Sequence, residues 1–135
     1  NNMKKEKTPI LMGKGDYNII MDHLAHTGGQ NAYSGKDAIE LGKELKKAKL
    51  VDAEELPPDV VRLNSRVTIR DEKEGRLLEL MVVTPDKADI KERKISVLSP
   101  IGTALIGFCK GHKLNWKVPS GTKSFTILEV SPPVL

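Results

Sequence analysis

The sequence is poor in cysteine and in aromatic residues, and it has no long apolar run. Its one cysteine, Cys109, excludes an intramolecular disulfide and fits a reducing compartment. No segment approaches the roughly 18 consecutive apolar residues of a membrane span, and the N-terminus shows no apolar signal region. We therefore expect a cytoplasmic protein without membrane contact. Aromatic residues make up 4% of the chain, which disfavours a surface that stacks the bases of single-stranded nucleic acid.

The motifs of common catalytic and metal sites are also missing. His23 and His26 are three residues apart and His112 is far along the chain, whereas a metal site needs clustered ligands. There is no glycine-rich phosphate-binding motif and no Gly-x-Ser-x-Gly. Cys109 has no evident partner base, so we expect an inert thiol that is buried or half-buried. We predict no catalytic residue, no metal ion and no cofactor.

The charge is mildly basic, with a formal net charge of +4. Part of the excess lies in a group of lysines, Lys43, Lys46, Lys47 and Lys49. Such a group is most often the solvated face of a helix. It also permits an acidic protein surface or a weak nucleic-acid contact as a partner, and it requires neither.

The first third of the chain has the apolar spacing of two short helices. We interpret 1–13 as a tail and predict helices from Asp16 to about residue 27 and from Lys36 to Leu50. Their stripes are Tyr17, Ile20, Met21 and Leu24, and then Ala38, Leu41, Leu45 and Ala48. A polar turn joins them, so 14–50 should form a short antiparallel hairpin. Pro57 and Pro58 mark 51–59 as a linker.

From residue 60 onward the pattern changes to short alternating segments separated by charged or glycine-containing turns. This pattern predicts about five strands. One short helix is expected within 101–107, where small and aliphatic residues follow Ser99-Pro100. The whole chain therefore has the α+β class, with a helical hairpin followed by a sheet that wraps one short helix.

The segment 95–107 reads Ile-Ser-Val-Leu-Ser-Pro-Ile-Gly-Thr-Ala-Leu-Ile-Gly. It resembles the signature of the C-terminal domain that Gre transcription factors share with the regulator of nucleoside diphosphate kinase. Pro119-Ser120-Gly121 and the strand 125–130 are similar to the family's closing hairpin. Upstream, 58–61 and 63–67 resemble the kinase-regulator branch most closely. The similarity covers roughly 36–131.

This resemblance implies an FKBP-like antiparallel sheet over 60–135, and it implies binding to the coiled coil at the rim of the RNA polymerase secondary channel. In the family that contact uses the Ser-Pro loop. The corresponding positions here are Leu98, Ser99, Pro100, Ile101 and Gly102. Leu98 departs from the family, since Gre factors tend to carry a polar or acidic residue there. Ser99 can cap the following helix, whose N-terminal amides would favour an acidic group of the partner.

The predicted hairpin decides which activity the resemblance implies. Gre factors carry a long coiled coil with acidic residues at its tip, which help to position a metal ion for transcript cleavage. Here no Asp or Glu lies between His26 and Lys36, and Asp37 is single. The tip residues are Gln30, Asn31 and Tyr33, with Asp37 just beyond. We therefore predict a non-catalytic polymerase-binding regulator that competes with Gre factors. The alternative is a Gre-type transcript-cleavage factor. A prolyl isomerase is disfavoured because its chemistry needs an aromatic-lined pocket, and this chain has few aromatic residues.

Overall fold

A computed structural model describes residues 10–27, 35–118 and 121–133 of the protein. The N-terminal part contains β1 (Leu11–Gly13), α1 (Lys14–Thr27), α2 (Gly35–Lys46) and β2 (Lys49–Val51). The C-terminal part contains β3 (Arg66–Asp71), β4 (Leu77–Val83), β5 (Lys94–Ser96), α3 (Pro100–Leu105), β6 (Lys113–Val118) and β7 (Gly121–Ser131). Short 3-10 turns lie at Ala53–Glu55, Pro85–Lys87 and Ile90–Glu92. This mixture of helices and sheets confirms the α+β class.

The C-terminal strands form one sheet in the order β5-β4-β3-β7-β6. Three neighbouring pairs are antiparallel, but β4 and β5 are parallel, with Met81 opposite Lys94 and Val83 opposite Ser96. The prediction of a purely antiparallel sheet is therefore wrong at this edge. The reason is the connection through 84–93, which carries the chain back along β4 by way of two 3-10 turns before β5 begins.

The hydrophobic core lies between one face of this sheet and the segment around α3. The sheet contributes Val67, Ile69, Leu80, Val82, Phe125 and Ile127, and the opposite side contributes Val97, Leu98, Leu105 and Ile106. Ile20 from α1 and Leu41 and Leu45 from α2 join the same core. The helices therefore pack against the C-terminal sheet domain. No helix in the described part of the chain is long and apolar enough to cross a membrane.

Residues 10–13 are not part of a tail, contrary to the expectation for 1–13. Ile10 and Met12 are buried, with 1% and 3% of their surface exposed. β1 pairs in parallel with β2, and the amide of Leu11 donates to the carbonyl of Gly107 at 3.1 Å. Residues 1–9 lie outside the described residues. The sequence pattern could not show this strand because its partners are far away along the chain.

The boundaries of both helices differ from the predicted ones. α1 begins at Lys14 instead of Asp16, and α2 ends at Lys46 instead of Leu50. α2 ends early because Lys49 donates its amide to the carbonyl of Ile10 at 2.8 Å, which turns the segment into a strand. The predicted linker 51–59 contains a 3-10 turn, and its Leu56 is buried. α1 and α2 contact each other, and the connecting residues 28–34 lie outside the described residues. The antiparallel hairpin therefore stays a prediction.

Candidate functional site

The Ser99-Pro100 turn connects β5 to α3 and is fixed by hydrogen bonds to its own side chains. Ser99 is the N-cap of α3, and its Oγ accepts a hydrogen bond from the amide of Gly102 at 3.2 Å. The same hydroxyl donates to the carbonyl of Ser96 at 2.7 Å. Pro100 occupies the first turn, where a missing amide costs nothing and its fixed φ suits the helix. The predicted capping role of Ser99 is confirmed.

Ser96 holds the other side of the turn. Its side chain is buried, and its Oγ accepts the amide of Leu98 at 3.0 Å. The Ser96 carbonyl also accepts the amide of Ser99 at 3.0 Å. Two serines and a proline therefore fix the backbone conformation of this segment. A fixed backbone holds the exposed side chains in defined positions, as a binding site requires.

Only part of the predicted contact segment can touch a partner. Leu98 has 0% of its surface exposed and belongs to the core, so its side chain is a packing residue and not a contact. Gly102 is also buried. Pro100 is exposed, while Ser99 and Ile101 are partly exposed. The burial of Leu98 follows from its place after β5, where the chain turns over the sheet and the side chain points inward.

Two grooves flank this turn. The first has a volume of about 520 Å³, lies toward α2, and is lined by Pro100, Thr103, Phe108 and His112 among others. The rings of Phe108 and His112 are stacked in it, with centroids 4.1 Å apart. Burial lowers the pKa of His112, which favours its neutral form. This wall of the groove is therefore largely apolar and uncharged.

The second groove, of about 490 Å³, lies on the other side of the turn and runs along β4. We name it the apolar groove, and it is lined by Leu77, Leu78, Ile90, Ile95 and Ile101, with Arg76 and Arg93 at its rim. Leu77, Leu78 and Ile90 are 61%, 40% and 83% exposed. Sequence reasoning missed these residues because an alternating strand shows which residues share a face but not whether that face is covered.

The remaining predicted site residues lie elsewhere. Gln30, Asn31 and Tyr33 lie outside the described residues, and Asp37 belongs to α2. The four lysines are all exposed. They do not lie on one helix, however, since Lys43 and Lys46 are in the last turn of α2, Lys47 follows it and Lys49 is in β2.

In the part of the chain that the structure describes, the reactive side chains do not form a cluster at the Ser99-Pro100 turn. Cys109 is exposed, so the expectation of a buried or half-buried thiol is wrong. The backbone of Cys109 forms an isolated antiparallel bridge with that of Val60. Over 10–27, 35–118 and 121–133, no three His, Cys, Asp or Glu side chains are grouped closely enough to hold a metal ion.

We expect Ser99→Ala to lower the free energy of unfolding by about 1 kcal/mol, because the variant loses an N-cap. The amide of Gly102 would lose its acceptor and the Ser96 carbonyl one of its donors. Ser99→Thr is the matched control, since its hydroxyl can make both bonds. Urea denaturation of the two variants checks this expectation, and equal midpoints would show that the cap contributes nothing.

Comparisons with known proteins agree with this arrangement. Residues 56–132 match the family described as "Transcription elongation factor, GreA/GreB, C-term". The chain is 37% identical over 102 residues to the regulator of nucleoside diphosphate kinase of Escherichia coli strain K12, a match that covers 75% of this chain and 74% of that protein. It is 34% identical over 126 residues to transcription elongation factor GreA of Clostridium beijerinckii, with 93% and 78% covered.

Among solved structures, a prokaryotic transcription elongation factor GreA/GreB from Nitrosomonas europaea superimposes with a TM-score of 0.75 at 33% identity. That match covers 93% of this chain and 99% of the other. The resemblance carried by the Ser99-Pro100 signature is thus confirmed, and the chain belongs to the GreA/GreB family of transcription elongation factors.

Proposed function

We propose that this protein is a non-catalytic cytoplasmic regulator that binds RNA polymerase at the rim of its secondary channel and competes there with Gre factors. Membership of the GreA/GreB family supports polymerase as the partner. Within this proposal, α1 and α2 form a helical hairpin that enters the channel, and 60–135 form an FKBP-like body that docks on the rim.

The observation that carries the proposal is the rigid turn with an exposed proline between two grooves. Ser96 and Ser99 fix the backbone, and Pro100 and Ile101 face the two grooves. A preorganised apolar protrusion loses little conformational entropy on binding. A coiled coil presents ridges of side chains that such a protrusion can meet.

The length of the helices and the lack of acids between His26 and Lys36 support a role without catalysis. α1 has 14 residues and α2 has 12, so their lengths are about 21 Å and about 18 Å at ~1.5 Å per residue. Transcript cleavage needs carboxylates at the end of a long arm to hold a metal ion. No Asp or Glu lies between His26 and Lys36. Both reach and chemistry therefore disfavour cleavage.

We expect the protein to bind core RNA polymerase and Pro100→Glu to weaken this binding by about tenfold, which corresponds to ~1.4 kcal/mol. Glutamate is tolerated in the first turn of a helix, so the fold should persist. Pro132→Glu, at an exposed proline outside the turn, is the matched control. Pull-down and fluorescence titration with labelled protein measure the effect.

The outcomes of this experiment separate the parts of the proposal. No binding by the unmodified protein would refute it. Binding that Pro100→Glu leaves unchanged would refute only the placement of the contact. Competition is tested by adding a GreA protein, which should displace the labelled chain. A cleavage assay on backtracked polymerase tests the alternative, and stimulation abolished by Asp37→Ala would establish a cleavage factor instead.

A direct nucleic-acid contact through Lys43, Lys46, Lys47 and Lys49 is a weaker, separate proposal. The four side chains are exposed, which is its only structural support. It predicts salt-dependent binding of DNA or RNA in the absence of polymerase. If titration with DNA or RNA at low salt showed no binding, this contact would be excluded.

A further inference from the structure

Half of strand β4 lies at an open edge of the sheet. β4 pairs with β3 from Leu77 to Met81, whereas its pairing with β5 covers only Met81–Val83. Within the described residues, Leu77–Leu80 therefore has a neighbouring strand on one side only. Open strand edges are usually blocked in proteins, because they can pair with another chain.

The chain itself turns away from this edge just before β5. Arg93 has the left-handed conformation with φ 59, which is uncommon for a residue with a side chain. Asp89 and Lys94 exchange both backbone hydrogen bonds at 2.9 Å, closing 89–94 into a compact loop. β5 consequently begins at Lys94 and cannot continue beside Leu77–Leu80.

The outward backbone groups of the edge belong to Leu77 and Glu79. The amide of Met81 donates to the carbonyl of Arg93, which shows that the odd-numbered residues of β4 bond on the β5 side. The carbonyl of Val82 accepts from Asn64 on the β3 side. By this alternation the amides and carbonyls of Leu77 and Glu79 point outward, where no backbone partner lies among the described residues.

The edge separates two grooves of opposite character. On the core side lies the apolar groove, where Leu78 and Ile90 are exposed and Ile101 is partly exposed. On the other side lies a groove of about 490 Å³, which we name the basic groove. Its charged lining comprises Arg66, Lys87, Arg93 and Lys94, together with Glu79 and Glu92. Cations outnumber acids there, so the basic groove favours an anionic side chain.

We propose that an extended segment of a partner protein, with alternating apolar and acidic residues, adds to the Leu77–Leu80 edge as a further strand. Successive side chains of a strand point to opposite faces, so the apolar ones would enter the apolar groove and the acidic ones the basic groove. An α-helix cannot fill this role, because its backbone groups are already bonded to each other. Main-chain bonds give affinity and the alternating pockets give specificity. The proposal concerns the isolated protein and does not rest on polymerase binding.

The test uses a fluorescein-labelled peptide, Glu-Val-Glu-Ile-Glu-Val-Glu, with Lys-Val-Lys-Ile-Lys-Val-Lys as the charge control. We expect saturable binding of the acidic peptide by anisotropy and at least about tenfold weaker binding of the basic one. Amide hydrogen exchange gives the structural readout. The amides of Leu77 and Glu79 should exchange fast in the free protein and become protected with the acidic peptide, whereas Leu78 and Leu80 should be protected in both states.

Two variants at one position separate the backbone bond from the charge. Glu79→Pro removes the outward amide, and proline is tolerated on an edge strand where that amide faces away from the sheet. We expect it to weaken binding by about tenfold. Glu79→Thr keeps the amide and removes an acid from the basic groove, so binding should strengthen by about threefold.

A third variant tests the positive charge of the basic groove. Arg93→Asn removes a cation at a left-handed position that asparagine accepts, and it should weaken binding of the acidic peptide.

Three results would overturn the proposal. The first is that Glu79→Pro binds the acidic peptide as tightly as the unmodified protein does, while Glu79→Thr folds normally. The second is equal binding of the acidic and basic peptides. The third is protection of Leu77 and Glu79 in the free protein that rises with protein concentration, which would show that a second copy of this chain occupies the edge.

Discussion

Replacing Gly102 with alanine is expected to destabilise the protein by about 3 kcal/mol or more, because the added methyl group has no space. A Cβ at this position would lie 2.1 Å from the carbonyl oxygen of Ser96 and 2.9 Å from the Cα of Val97. Both obstacles are backbone atoms, so no side-chain rotation can relieve the overlap. The backbone of the whole Ser99-Pro100 turn would have to shift, and with it the cap of α3. The free energy of unfolding from urea denaturation measures the effect.

Gly42→Ala is the matched control for this change. Gly42 lies within α2, and apart from its chain neighbours and the adjoining helix backbone no atom comes within 4 Å of the position of an added Cβ. Alanine is favoured over glycine in a helix by about 0.8 kcal/mol, so this variant should be at least as stable as the unmodified protein. If Gly102→Ala were as stable as Gly42→Ala, the close packing of the turn against Ser96 would be disproved.

The second large effect is expected at Asp16, which ties α1 to the C-terminal part of the chain. Its Oδ2 accepts the amide of Leu63 at 3.0 Å, and Leu63 is buried. Asp16→Ala leaves that amide without an acceptor, so we expect a loss of about 1–3 kcal/mol. Asp16→Asn keeps an acceptor oxygen of the same reach and does not ionise, so it should be at least as stable as the unmodified protein. Thermal and urea denaturation at neutral pH compare the two variants.

The same residue predicts a pH dependence of stability. Burial raises the pKa of Asp16, against the opposing effects of the Leu63 hydrogen bond and of nearby Arg62. The folded state then binds the proton more tightly than the unfolded state, so this contribution to stability is full below the ordinary pKa of 3.8 and is lost as pH rises through the raised pKa. Asp16→Asn should remove this decline. If the unmodified protein and Asp16→Asn had the same pH profile, the burial of the carboxylate would be disproved.

The Ser99-Pro100 turn shows how much the sequence could predict. The order Ser-Pro-Ile-Gly after a strand indicated a capped short helix and a family resemblance, and both are confirmed. The same pattern could not distinguish contact residues from packing residues. Leu98 and Pro100 are two positions apart, yet one is fully buried and the other is exposed. Which side of a turn faces the core depends on what packs against it.

The helical part shows a similar division. Apolar spacing located both helices within a few residues, because it reflects the local period of the helix. The predicted start at Asp16 lies inside α1, which begins at Lys14, and the carboxylate of Asp16 bonds to Leu63, a residue far along the chain. The apolar spacing predicts a helix at Lys49, but this residue is in a strand because the carbonyl of Ile10 accepts its amide. Local propensity is overruled wherever a distant segment offers a hydrogen-bond partner.

By itself the sequence determined the α+β class, the family, the capped turn and the absence of acids between His26 and Lys36. Each of these depends on residue identity or on short-range order along the chain. Only the tertiary structure decided that β5 lies parallel to β4, that 10–13 belong to the core, and that Leu77–Leu80 is left at an open edge. These features depend on which distant segments meet, and a pattern with a period of a few residues carries no information about that.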